Sequence, residues 1–105
     1  MSRARIAGEH GLALMAAGDS RGAERELVLS LEKFAKMQTH VTPTTAELRL
    51  ALARLLLVQN RAAAALPLAR EADEFWHGFA PEHPAARDAA QWHARCRNAL
   101  RAAAR

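Results

Sequence analysis

Apolar and small residues return every three or four positions from the start of the chain: Ile6, Gly11 and Leu14, then Ala23, Leu27, Ser30, Leu31 and Phe34. That is the period of one face of an α-helix. Glu24, Arg25, Glu32, Lys33 and Lys36 fall mostly on the other side of the second stretch, as a wetted helix face requires. Two helices are predicted, at about 2–17 and 20–38. A third, at about 44–59, carries Leu48, Leu50, Leu52, Leu55, Leu56, Leu57 and Val58 around nearly its whole circumference. A helix apolar on all sides is either the centre of its domain or displays a strip that something else covers. The fourth, about 61–78, presents Ala65, Leu68, Ala69, Ala72, Phe75, Trp76 and Phe79. The fifth, about 84–103, presents Ala85, Ala89, Trp92, Cys96, Ala99, Leu100 and Ala103. Arg87, Asp88, Gln91, Arg95 and Asn98 occupy the outer face of the fifth, the pattern of a terminal helix that covers the last hairpin.

Punctuation between these stretches has a chemical reading. Gly18 takes the left-handed conformation that closes a helix, and Asp19 or Ser20 caps the next one. Asn60, which tolerates the same conformation, ends the third helix. Residues 39–43 form a linker because Pro43 lacks an amide donor and pushes Thr42 out of helical angles. Thr44 and Glu47 then have the spacing of a capping box. Residues 80–84 form the second linker, with Pro84 in the first turn of the last helix. Pro67 either begins the fourth helix or kinks its first turn; the kink is preferred. Phe75 and Phe79 are expected in the core, and Trp76 is open between core and interface.

The chain nearly repeats itself at a spacing of about 42 residues, the length of a stacked helical hairpin. Gly11, Gly18, Ala23 and Ser30 are answered by Ala53, Asn60, Ala65 and Ala72. Units of this kind build surfaces for partners more often than pockets for chemistry.

Composition narrows the function further. At 105 residues the chain is about one domain, and its wealth of Ala, Leu, Arg and Glu with no Tyr favours an all-α fold. The net charge of +4 is spread along the chain, which disfavours a nucleic-acid or anionic-membrane partner. The run Leu50 to Val58 is interrupted by Arg54 and too short to span a bilayer. A single cysteine, Cys96, and the lack of a leader pattern predict a reducing, cytoplasmic setting.

No constellation points to catalysis or a cofactor. His77, His83, His93 and Cys96 invite a metal reading, but no paired spacing supports four converging ligands. Cys96 lies on the stripe with Trp92 and Leu100, so a buried, inert thiol is expected. A Cys96–His93 nucleophile lacks a readable oxyanion turn. Glu71, Asp73 and Glu74 near Arg70 read as charge pairs on a wet helix face. No Gly-rich phosphate loop occurs, and the chain is expected not to be an enzyme.

The small residues at Gly11, Ala23, Ser30, Ala53, Ala65 and Ala72, with turn residues Gly18 and Asn60, resemble the tetratricopeptide repeat family in its long form. That form occurs in kinesin-light-chain-like arrays and in many bacterial regulatory proteins. His83-Pro84 matches the long-repeat pattern, and His40 with Pro43 is a looser version. Ala7 and Arg49 depart from it, standing where the family often has a large aromatic residue. The resemblance implies a right-handed superhelix of antiparallel helix hairpins, here two repeats plus a C-terminal capping helix, in a single domain over residues 1–105. It implies a concave groove lined by the first helix of each hairpin, which grips a peptide or helix of a partner without catalysis.

Carried over residue by residue, the groove candidates are Leu12, Met15, Leu50, Arg54, Leu57, Val58, Gln91, Arg95 and Asn98. An apolar strip flanked by Arg54 and Arg95 offers burial and a bidentate carboxylate donor; the alternative is core leucines and solvated arginines. Gly8 and Leu12 stand where the family's carboxylate clamp has Lys and Asn, so that clamp is absent. The resemblance also implies that such repeats accompany a catalytic or signalling domain, such as a Ser/Thr protein kinase. Self-association as a homodimer through the apolar third helix is the alternative, and an Arg-rich polyanion binder a weaker one.

Overall fold

The computed structural model of the chain describes residues 3–37 and 42–104. Five helices account for nearly all of them: α1 (Arg3–Ala16), α2 (Ser20–Lys36), α3 (Pro43–Val58), α4 (Ala62–Phe79) and α5 (Pro84–Ala103). No strand occurs among the described residues. The predicted ends at Ser2 and Gln38, and Thr39, His40 and Val41 of the first linker, lie outside them.

Two turns repeat in atomic detail. Gly18 and Asn60 both have positive φ, 86° and 60°. After each, a backbone amide reaches back five residues: Asp19 N–H donates to the Leu14 carbonyl and Arg61 N–H to the Leu56 carbonyl, both at 2.9 Å. This closure satisfies carbonyls that a helix end leaves open. A Cβ at Gly18 would meet no atom within 4 Å, so the demand there is on the dihedral alone. Gly18→Ala and Asn60→Ala are expected to cost about 1 kcal/mol each, whereas Asn60→Gly stays within about 0.5 kcal/mol of the parent. Urea denaturation of the three variants checks this.

The helix starts differ from one another. Asp19 accepts from the Gly22 N–H at 2.9 Å and so caps α2. At α3 the capping box is Thr42 with Thr45, two residues earlier than the expected Thr44 with Glu47. Thr42 N–H donates to Thr45 Oγ1 at 2.9 Å and Thr45 N–H to Thr42 Oγ1 at 3.2 Å. Pro43, read above as linker, is the first helical residue, where its missing amide costs nothing. His83 caps α5 by accepting from Ala85 N–H. Helix α4 is under way well before Pro67.

α1 packs along α2, α3 along α4, and α4 along α5. α3 also lies against both α1 and α2, and α5 lies against both α3 and α4. Helix α3 thus touches all four others, and its leucines are buried among them except the half-buried Leu57; Val58 at its end is exposed. Of the two readings of that helix, the centre of the domain holds.

Close approach explains which side chains are buried. Gly11, Ala23, Ser30, Ala53, Ala65 and Ala72 are all buried, as the repeat predicts. The Ser30 hydroxyl donates to the Ala4 carbonyl across the α1–α2 contact. In α1 the buried stripe is Ala4, Ala7, Gly8 and Gly11, while Ile6 is 49% exposed. A Cβ on Gly8 would come within 2.9 Å of both Leu48 Cδ1 and Ser30 Oγ, so the neighbouring helices admit only small residues there. The aromatic group at the end of α4 also sorts differently from expectation. Trp76 is the core residue at 7% exposure, Phe75 is half-buried, and Phe79, the last residue of α4, is 61% exposed. Ala86, next to the expected Ala85, is the buried residue of the first turn of α5, and Leu100 and Ala103 are exposed.

Candidate functional site

Helices α1, α3 and α5 border a cleft of about 420 Å³. Leu12, Leu50, Ala51 and Trp76 supply its apolar surface, and Glu47, Arg54, His83 and Asp88 its polar rim. The Trp76 indole is held from two sides. Phe75 meets it edge-on at 5.4 Å between centroids, and the His83 ring stacks on it at 4.9 Å. Because His83 also caps α5, the residue that starts that helix fixes the cleft's aromatic floor.

Arg54 and Arg95 converge on one side chain. Their guanidinium carbons lie 5.1 and 4.6 Å from the centroid of the Trp92 ring, one arginine from α3 and one from α5. Such stacking attracts the cation to the ring face while leaving the in-plane N–H donors free. Neither arginine forms an ion pair with a described residue.

The sequence-derived groove residues divide in three. Leu12, Leu50 and Arg54 border the cleft, Leu50 as a buried core residue. Arg95 joins through Trp92. Met15 and Leu57 pack half-buried against the core around Leu27 and Leu52, away from the cleft lining. Val58, Gln91 and Asn98 are exposed and do not line it. Missed were Glu47 and Asp88, together with Trp92, which had been read only as core. Their signal is in the sequence: Glu47 precedes Arg54, and Asp88 precedes Arg95, by two helical turns, so each pair shares a face.

Several titratable groups outside the cleft have structural partners. Asp73 accepts from His93 Nδ1 at 2.8 Å, joining α4 to α5, and its second oxygen, Oδ1, lies 2.7 Å from His77 Nδ1. That ring nitrogen bonds instead to the Asp73 carbonyl, and Oδ1 is left without a hydrogen bond. Glu71, expected beside Arg70, pairs with Arg49 of α3 at 3.1 Å. Arg61 donates to Glu24 of α2 at 3.0 Å. Asp73→Ala is expected to cost about 2 kcal/mol, since it strips a half-buried histidine of its charged partner, and Asp73→Asn less because an acceptor oxygen remains. Thermal unfolding at pH 7 checks the order. Burial pushes the Cys96 thiol above its ordinary pKa, which keeps it protonated and a poor nucleophile.

Among the described residues no group of three or more His, Cys, Asp or Glu side chains is arranged to hold a metal ion, and no helix is long and apolar enough to cross a membrane. No family model matches the chain, and no curated protein or solved structure matches it.

Proposed function

We propose that the chain is a tetratricopeptide-like interaction module that holds a peptide segment of another protein in the cleft bordered by α1, α3 and α5, without catalysis. The observation that carries this reading is the cleft itself: an apolar floor of Leu12, Leu50 and Trp76 within a rim of charged side chains. Such a surface desolvates a partner's apolar side chain while orienting its polar groups.

The repeated architecture supports the finer reading of two hairpins and a capping helix wound into a right-handed superhelix. α3 packs on the α1–α2 pair as α5 packs on the α3–α4 pair, and the Gly18 and Asn60 turns share their dihedral sign and hydrogen bonds. The helices that open each pair border the cleft, Trp76 of α4 lies on its floor, and no residue of α2 lines it. Arg87, Gln91 and Asn98 leave the last helix polar on its outer face, as a cap requires.

Selection of displayed peptides on the purified chain, followed by NMR mapping of the best binder, tests the proposal. Shifts concentrated at Leu12, Ala51, Arg54 and Trp76 are expected. Failure to select any peptide, or shifts confined to the exposed face of α2, overturns it.

A further inference from the structure

The charges around the cleft are sorted by position along the helices. Glu47 on α3 and Asp88 on α5 both line the cleft, and neither is ion-paired with a described residue. Two helical turns further along the same faces stand Arg54 and Arg95, stacked on Trp92 and equally unpaired. The order is acid then base on both helices, so two acids stand at one end of the cleft, and at the other Arg54 lines it with Arg95 beside it on the shared Trp92 ring. Leu50 and Ala51 lie between them on α3. Like charges left together without a counter-ion repel one another, so an occupant that neutralises both ends gains at each.

From this geometry we infer that the cleft selects an extended peptide segment of mixed charge, with a basic side chain at Glu47 and Asp88, an acidic one at Arg54 and Arg95, and an apolar residue between. This rests on the proposed peptide-binding role and specifies its ligand. The two ends are about 10 Å apart, at 1.5 Å of helix rise per residue. An extended chain covers that distance in about three residues at 3.3 Å each. Stacking on Trp92 holds both guanidinium planes in place, so a carboxylate meets donors already positioned.

The test uses three fluorescent capped peptides that share an apolar centre and carry lysine and glutamate, two glutamates, or two lysines at the flanking positions. Fluorescence anisotropy at low ionic strength is expected to show the mixed peptide binding about tenfold more tightly than either other. Glu47→Lys/Asp88→Lys is expected to move the preference to the doubly acidic peptide, and Arg54→Glu/Arg95→Glu to the doubly basic one. Glu47, Asp88, Arg54 and Arg95 are all exposed, and circular dichroism with thermal melting verifies that the variants keep the fold. Equal binding of all three peptides by the parent, or preferences that do not follow the substitutions, overturns the charge assignment and leaves the interaction role standing. Absence of binding by all three to the folded parent overturns both.

Discussion

Leu27→Ala is expected to destabilise the chain by about 3 kcal/mol, lowering the thermal midpoint by about 15 °C for a domain of this size. Leu27 is wholly buried, packed in the core with Leu48, Leu52 and Leu56 of the central helix, so its truncation leaves a cavity that rigid helices close only in part. The same side chain explains Gly11. A Cβ there would meet Leu27 Cγ at 2.9 Å and Leu27 Cδ2 at 3.0 Å, so Gly11→Ala is expected to cost about 1–2 kcal/mol although alanine is the better helix former. Combining the two changes is informative because the added methyl points into the space the leucine vacates. The double variant should be more stable than the sum of the single costs implies, with a coupling of about 1 kcal/mol. Rescue stays partial, since the Leu27 backbone nitrogen lies 3.2 Å from the new Cβ. Denaturant unfolding of all four proteins checks this, and strict additivity would mean that the α1–α2 approach is looser than described.

How far the sequence carried the fold follows from where its information is local. Helix ends were legible where their chemistry sits in one or two residues: Gly18 and Asn60 take positive φ and Pro84 fits the first turn of α5, whereas Pro43, expected in the linker, opens α3. The crossings were legible because small residues recurred in register. Ile6 was misplaced for the complementary reason. Periodicity weighs how apolar a residue is, whereas helices in close approach select for small volume, and Ala4, Ala7 and Gly8 took the buried face. Phe79 is exposed although it continues the apolar stripe of α4, because burial at a helix end is set by tertiary contacts that a local pattern does not encode. At the cleft, Arg54 was expected from the resemblance to the long repeat, carried over onto the third helix. Its meeting with Arg95 on one indole depends on the contact between α3 and α5, a distance no local pattern encodes. Glu47 was assigned to the helix cap, and the Thr42–Thr45 pair frees it for the cleft.

Ala23→Leu and Ala65→Leu should behave as one substitution made twice. Both alanines are fully buried, the first where α2 meets α1 and the second where α4 meets α3. In a close-packed crossing the extra atoms of leucine have no space, so the helices must separate or the side chain must leave its rotamer; about 3 kcal/mol is expected at each site. Ala64→Leu, on the exposed side of the same α4 turn, should stay within about 0.5 kcal/mol of the parent and controls for helix propensity. The comparison bears on function through geometry. α3 packs on both α1 and α2, and α5 on both α3 and α4, so forcing either hairpin apart shifts a wall of the cleft relative to its floor. Both variants should therefore lose peptide affinity at temperatures where circular dichroism still reports full helix content. Thermal melts paired with anisotropy titrations measure the two effects together. A tolerated leucine at either site would show that the hairpins are not equivalent, and with that the repeated close crossing would cease to explain how this short chain holds its cleft open.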